Sequence, residues 1–317
     1  MEILKLKAAT KDYLWGGNRL RESYGKTSEN NVIAESWELS AHEDGLSIIE
    51  NEDYQGKDFK SYLKEKGNKV IGENYQADRF PILIKFIDAL SPLSIQVHPR
   101  DDYARKYEND NGKTEMWYVL EADENAFLYY GFKENISREE YKKSIEEGYL
   151  EDLLNKVFVK KGDVFFIEAG TVHAIGGGIV ICEVQQNSNV TYRVYDYMRK
   201  DKDGNYRQLH VDKAIEVSNL QINKEYNFNN LNYVNQGLER LAKSDYFDVF
   251  KGQVSNEIYK IKKSSFQSLT FIDGKGHILA GDKKYAFTKG DTFYIAAGDG
   301  DYSIDGKGQF ILAKLPE

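Results

Sequence analysis

The chain has a single cysteine in 317 residues, only four prolines, and no apolar run of membrane-spanning length. Cys182 alone rules out an intrachain disulfide and suits a reducing compartment, so a cytoplasmic protein is expected. A helix that crosses a bilayer needs about 20 apolar residues in succession, and no membrane association is expected. The opening stretch MEILKLKAATKDYLWGG lacks the apolar core of a secretory leader. Surplus positive charge is also missing: 43 Lys and Arg stand against 51 Asp and Glu, a formal net charge of -8 at pH 7. Nucleic acids and anionic membranes recruit excess cations, so neither is an expected partner. Any anionic ligand has to be held by a few local cations. No heptad pattern or long apolar stripe argues for assembly, and a monomer is expected.

Aromatic residues, by contrast, are plentiful, with 23 Tyr and 16 Phe. Short alternating runs cover residues 36–39, 47–50, 81–88, 93–98, 115–121, 126–131, 164–168, 179–185 and 191–195. Gly, Asn and Asp turns divide them, a pattern of antiparallel sandwiches or barrels rather than a parallel sheet. Apolar residues at three- and four-residue spacing predict helices over 58–66, 101–108, 137–147 and 211–219. Ser137 followed by Glu140 fits a capping box. The polar, Asn-rich stretch 221–244 reads as a linker, which places a boundary near residue 243 between units 1–243 and 244–317.

The chain also resembles itself. Residues 161–173 read KGDVFFIEAGTVH and residues 289–301 read KGDTFYIAAGDGD. Both look like a Gly-Asp turn, an apolar strand and an Ala-Gly turn, so two related β units are expected. The first copy ends in His173 and the second in Asp301, leaving only the first with an imidazole there.

Residues two apart in a strand share a face, so Gln96 and His98 project together. Glu115 opens a later strand, and His173 follows the Ala-Gly turn of a third. Two imidazoles, a carboxylate and an amide oxygen form a mixed N/O donor set that suits Zn²⁺, with Co²⁺ or Mn²⁺ as substitutes. The blander reading, that Gln96 and His98 are ordinary polar residues on a sheet face, is equally open on spacing alone.

A wider pattern bears on that choice. The His-bearing strand, the later Glu, and Gly162, Gly170 and His173 resemble the metal motifs of the cupin jelly roll. SPLSIQVHP (91–99), GKTEMW (112–117), AGTVHAIG (169–176) and EVQQNSNVTYRVYDY (183–197) resemble signatures of the type I mannose-6-phosphate isomerases. WGG (15–17), ESWELSAHEDG (35–45) and LHVDKA (209–214) do so too, in family order.

This resemblance implies a mainly β, bicupin-like fold of jelly-roll β-sandwiches with a small helical insertion, the second unit being metal-free. It implies one zinc per chain, held by Gln96, His98, Glu115 and His173, and it makes Arg193 the family's active-site arginine. Lys85, Ser94 and Lys113 match positions that line the substrate site, as do Trp15, Glu38 and Glu183. The substrate implied is a hexose 6-phosphate, interconverted between D-mannose 6-phosphate and D-fructose 6-phosphate. Relatives often read His-Lys-Pro-Glu where this chain has Gly112-Lys113-Thr114-Glu115, and Asp where it has Asn189.

Aldose–ketose isomerisation moves a proton between C1 and C2 through a cis-enediolate, which a metal or cation at the sugar oxygens stabilises. Arg193 fits as a stabiliser of negative oxygens or a grip on phosphate. Glu183, a metal-bound hydroxide and Lys113 are the competing bases. Rival classes are another metal-dependent cupin enzyme, such as an Fe²⁺ dioxygenase, and a non-catalytic sugar-binding metal cupin. Gln96 speaks against the first; the gathering of Arg193, Lys85, Lys113 and Glu183 speaks against the second. Cys182 reads as a small core residue, His42 as packing, His210 as preceding a helix, and His277 as an exposed turn residue. Gly112-Lys113-Thr114 is no phosphate loop, because Tyr107 stands where its first glycine belongs.

Overall fold

In the computed structural model all residues are described except 73–74, 76–78, 202, 223–233, 236, 256–258, 262–264, 299 and 317. The described strands form antiparallel sheets of ten, six and five strands. The six-stranded sheet runs in the order Val164–Ile167, Glu115–Ala122, Ile179–Gln186, Ile82–Ala89, Glu35–Leu39, Ala9–Lys11. The five-stranded sheet runs Tyr192–Tyr195, Ile95–Val97, His173–Ile175, Phe127–Phe132, Leu154–Phe158.

Alternation explains how these sheets stack. In the central strands of the six-stranded sheet, Ile84, Phe86, Met116, Tyr118, Cys182 and Val184 point one way, into a core shared with Leu4, Leu6, Tyr294 and Ile311 of the ten-stranded sheet. Ile87, Trp117, Val119, Ile179 and Ile181 point the other way, against Leu128 and Ile175 of the five-stranded sheet. Those two facing sheets are the first jelly roll. Each fully buried Ile, Leu or Phe contributes about 1.5–3 kcal/mol relative to exposure, whereas buried ion pairs come near to break-even. The apolar layers therefore carry the fold, and the charges embedded in them need another reason to be there.

Helices cover the outer face of the five-stranded sheet. Tyr141 from Arg138–Glu147 and Ala214 from Val211–Val217 pack with Ile95, Val97, Tyr129 and Val194. Ser137 caps the first of these, its Oγ accepting from Glu140 N at 3.0 Å. The Glu140 carboxylate instead accepts from the Tyr149 hydroxyl, so of the predicted capping box the N-cap half alone is seen among the described residues. The remaining predicted helices lie at Phe59–Lys66 and Asp101–Tyr107.

The ten-stranded sheet folds over a second core that includes Phe250, Leu269, Phe271, Phe293, Phe310 and Leu312. Its internal likeness to the first unit extends to the backbone. Gly162 and Gly290 both have φ +93, and Gly170 and Gly298 have φ +95 and +112. These left-handed values favour glycine, which accounts for both glycines of the repeat. Asp163 Oδ2 accepts from Lys160 N at 2.9 Å, and Asp291 Oδ2 accepts from Thr288 N at 2.8 Å.

Three expectations need correcting. Leu238–Lys243, read as linker, is a strand paired with Asp248–Ser255; its polar alternation belongs to a partly solvated strand whose Arg240 pairs with Asp248. Residues 223–233 and 236 of that linker lie outside the described residues. His277 is not in a turn but inside the strand Gln267–Ala280, opposite Ala286 and Asp305, and half-buried. Finally, Ile3–Lys7 pairs with Thr292–Ile295, so a strand from the start of the chain belongs to the C-terminal sheet. Composition cannot reveal such a non-local pairing.

Candidate metal centre and active site

Sheet register brings the donor residues together. His173 is opposite Gln96 in one pairing, and Glu115 is opposite Ile167, six residues before His173. His98 and His173 are buried, and each ring is oriented by a backbone carbonyl. His98 Nδ1 lies 2.9 Å from Val190 O, and His173 Nδ1 lies 2.8 Å from Thr171 O. A carbonyl only accepts, so both Nδ1 atoms carry the proton and both Nε2 lone pairs are left for the site. Burial pushes the His98 pKa well below its ordinary value and that of His173 down to about 4, so both rings are neutral.

The Nε2 atoms converge on Glu115. His98 Nε2 is 3.6 Å from one carboxylate oxygen and His173 Nε2 is 3.4 Å from the other. The Gln96 carboxamide nitrogen is 3.5 Å from His173 Nε2. Four donors about 2.1 Å from a tetrahedral ion sit about 3.4 Å from one another, so these separations fit a zinc-sized cation. Glu115 Oε1 is buried without a hydrogen-bond partner, which suits an oxygen that ligates a cation. The Gln96 amide offers oxygen to the same point once turned over, with its NH₂ then donating to Ser94 Oγ, now 3.3 Å from Oε1. The three residues His98, Glu115 and His173 form the metal-type cluster found among the described residues.

Lys113 covers these donors from the cavity side. Its Nζ is 2.6 Å from Glu115 Oε2 and 3.2 Å from His98 Nε2. Beyond it, charges alternate across the sheet: Lys113 is 3.7 Å from Glu183, Glu183 is 3.6 Å from Lys85, and Lys85 is 3.7 Å from Glu35. Burial alone would push Lys85 down and Glu183 up. Glu35 and Glu183 outweigh that effect on Lys85, while Lys113 and Lys85 outweigh it on Glu183. Both groups are therefore charged. Trp117 Nε1 holds Glu183 Oε2 at 2.9 Å, while Oε1 is buried without a hydrogen-bond partner.

A cavity of about 230 Å³ opens onto this array. Of the residues singled out from sequence, Trp15, Lys85, Ser94, Gln96, Lys113, Glu183 and Arg193 line it, with the metal-type cluster behind. Glu38 does not. It lies on the opposite face of its strand, fully buried, with Lys26 Nζ at 2.6 Å and the Thr292 hydroxyl at 3.0 Å. Glu35 lines the cavity in its stead, accepting from Trp37 Nε1 at 2.7 Å. Period-2 parity in Glu35-Ser36-Trp37 was the available signal. Tyr13, Asn189, Thr191 and Arg207 also line the cavity and were not foreseen; Tyr13 stacks on Trp15, two residues on, with 5.5 Å between ring centroids. His42 packs edge-on against Trp37, and His210 precedes the helix Val211–Val217 as expected.

With this geometry in place, likeness to known proteins is informative. Residues 3–130 match the profile of the phosphomannose isomerase type I catalytic domain, and residues 238–315 match that of the mannose-6-phosphate isomerase cupin domain. The mannose-6-phosphate isomerase of Streptococcus mutans is 38% identical across 100% of this chain and 99% of its own. The ManA mannose-6-phosphate isomerase of Bacillus subtilis is 37% identical across 99% of each. A crystal structure of mannose 6-phosphate isomerase from Bacillus subtilis superposes with a TM-score of 0.92 at 33% identity, covering 99% of this chain and 100% of that one. Full-length identity and a shared backbone thus agree with the site built above, and the chain belongs to the type I phosphomannose isomerase family.

Proposed function

We propose that this cavity is where the chain interconverts D-mannose 6-phosphate and D-fructose 6-phosphate, the reaction of its family, and that zinc is its metal. The observation that carries the reading is the convergence of two neutral imidazole lone pairs and an unpartnered carboxylate oxygen beside an ionised Glu183. Gln96, His98, Glu115 and His173 would hold the ion, which when bound supplies Lewis-acid stabilisation of the sugar's C1 and C2 oxygens.

The chain's own residues do the rest. Glu183 Oε1 is charged and has no hydrogen-bond donor, so it is placed to take the C2 proton and return it at C1. Trp117 fixes its other oxygen and so its aim. Lys113 stands between Glu115 and Glu183, where its ammonium steadies negative charge developing on the enediolate. Arg193 and Ser94 bind the substrate's oxygens, and Lys85 keeps Glu183 ionised. Trp15, with Tyr13 stacked on it, closes the apolar side of the cavity. The chemistry resides in residues 1–243, and 244–317, completed by the strands Ile3–Lys7 and Leu238–Lys243, forms a metal-free β unit whose lone histidine is His277. The enzyme works as a monomer in the cytoplasm.

The deciding experiment strips the protein with chelator, restores Zn²⁺, and assays fructose 6-phosphate formation with metal content measured in parallel. Activity lost and regained with one zinc per chain is the expected result. Folded, fully metallated protein that binds the sugar but does not convert it would instead favour a sugar-binding role.

A further inference from the structure

Cations and carboxylates are unevenly matched along the cavity. Near the metal-type cluster, Lys85 and Lys113 stand among Glu35, Glu115 and Glu183. At the other end Arg199 and Arg207 both pair with one carboxylate, Asp196, and Arg193 lies within its electrostatic reach. Arg193 forms no ion pair among the described residues; its Nη1 donates to Gln208 O at 2.7 Å, and its Nε is buried without a partner. Arg207 donates from Nε to Asp196 Oδ2 at 2.7 Å and from Nη2 to Asp196 Oδ1. Its Nη1 has no partner among the described residues, and the side chain lines the cavity. Three guanidinium groups around one carboxylate leave a local positive excess, and Arg193 and Arg207 carry it to the cavity wall.

Register fixes how far this end lies from the chemistry. Arg193 is directly opposite Gln96. The segment bearing Arg207 runs alongside Arg193, His210 N donating to Arg193 O at 2.8 Å. Adjacent strands are about 4.8 Å apart, so the backbone at His210, three residues beyond Arg207, is about 10 Å from Gln96. In an open-chain hexose 6-phosphate, six bonds separate C2 from phosphorus, about 7 Å at about 1.2 Å of advance per bond. A guanidinium reaching inward closes the difference. Lys85 and Lys113, pressed against the carboxylates of the reaction centre, are too near to take the phosphate of a sugar whose C2 lies there.

We infer that Arg207, aimed by its two-point pairing with Asp196, grips the substrate's phosphate together with Arg193 and is the specificity-determining residue for a phosphorylated sugar. The inference rests on the isomerase reading for the identity of the sugar, but the anion site stands on its own geometry. Arg207 offers a planar, always-charged donor edge that matches phosphate oxygens, and Asp196 removes the rotamer freedom that an exposed arginine would lose on binding. Burial and the Arg207 charge lower the Arg193 pKa, a mutual repulsion that an intervening anion relieves.

The test measures inorganic phosphate binding by titration calorimetry and steady-state kinetics with mannose 6-phosphate, on the Zn²⁺-loaded native protein, Arg207→Gln and Arg207→Lys. Charged hydrogen bonds of this kind are worth about 10–150-fold in affinity. Arg207→Gln is expected to weaken phosphate binding and raise KM by that factor, with kcat changed less than about threefold. Arg207→Lys is expected to fall between. Phosphate affinity and KM within twofold of native in either variant would overturn the inference, as would a loss confined to kcat. Should Arg207→Gln lose its cooperative unfolding transition, Arg207→Lys decides alone. Native protein that binds phosphate through Arg207 yet converts no sugar would retire the isomerase reading and leave the anion site. Native turnover with unchanged phosphate binding in the variants would do the reverse.

Discussion

Register aligns the two β units residue by residue. Val119 N donates to Asp163 O at 2.9 Å and Phe271 N to Asp291 O at 2.9 Å; Gly162 N and Gly290 N return the bond to the same two partners at 2.8 Å. Counting along the paired strands from these points sets Glu115 against Gln267, since they face Ile167 and Ile295. Trp117 then corresponds to Leu269. Glu183, opposite Trp117 and Lys85, corresponds to Leu312, opposite Leu269 and Phe250. Where the first unit buries a tryptophan and three ionisable side chains, the second buries Leu269, Leu312, Phe250 and a neutral amide. Gln267 Oε1 accepts from the Tyr302 hydroxyl at 2.6 Å, beside the Asp301 that stands at the position of His173. The frame is indifferent to its filling. An apolar filling makes a core, and a charged one makes a site whose desolvation cost is offset by what it binds.

Substitutions that move one unit toward the other test this. The largest effect is expected at Glu183→Gln, which removes the charge that Leu312 lacks. We expect kcat to fall by about 10²–10⁴, the usual contribution of a general base, and solvent deuterium exchange at C2 to fall with it. Exchange at the native rate would remove Glu183 from the proton path. Next is Glu115→Gln, which installs the second unit's amide at the metal-type cluster. Zinc affinity, followed by competition with a chromogenic chelator, should drop at least about 10–100-fold, the loss seen even for residues that only support ligands. Undiminished zinc content would dissociate Glu115 from the metal.

The smallest effect is the reverse exchange, Gln267→Glu. A carboxylate there retains an acceptor for Tyr302 but is buried among apolar neighbours, so unfolding stability should fall by about 1–3 kcal/mol. Burial raises the folded-state pKa above the unfolded value, so the penalty grows as pH rises between the two. Denaturant midpoints should therefore differ from native more at pH 8 than at pH 5. Equal stability at pH 8 would mean the second unit tolerates charge as the first does.

Much of this was legible in the sequence because it depends on local rules. Strands and helices followed from alternation and spacing, and the repeat from its paired glycines. Gln96, His98, Glu115 and His173 come together as their spacing and the family likeness suggested. Glu38 is misplaced by a motif match that ignores parity: residue 35 lines the cavity, and residue 38 faces the second unit. Arg207 was invisible for a different reason. Its place depends on the segment before His210 lying against the strand Tyr192–Tyr195, and nothing in the spacing of either segment announces that pairing. The linker misreading at Leu238–Lys243 has the same origin, since a half-solvated strand differs little in composition from a loop.

The pairing of Ile3–Lys7 with Thr292–Ile295 also bears on how the molecule is made. Ile3 cannot meet Ile295 until the ribosome has added nearly the whole intervening chain. At about 5–20 residues per second, that is a wait of roughly 15–60 s. For this time the strand Ile3–Lys7 has an open edge and no partner on that side. The alternating lysines of its sequence, Lys5 and Lys7, are the kind of charge that discourages such an edge from pairing with a neighbouring nascent chain.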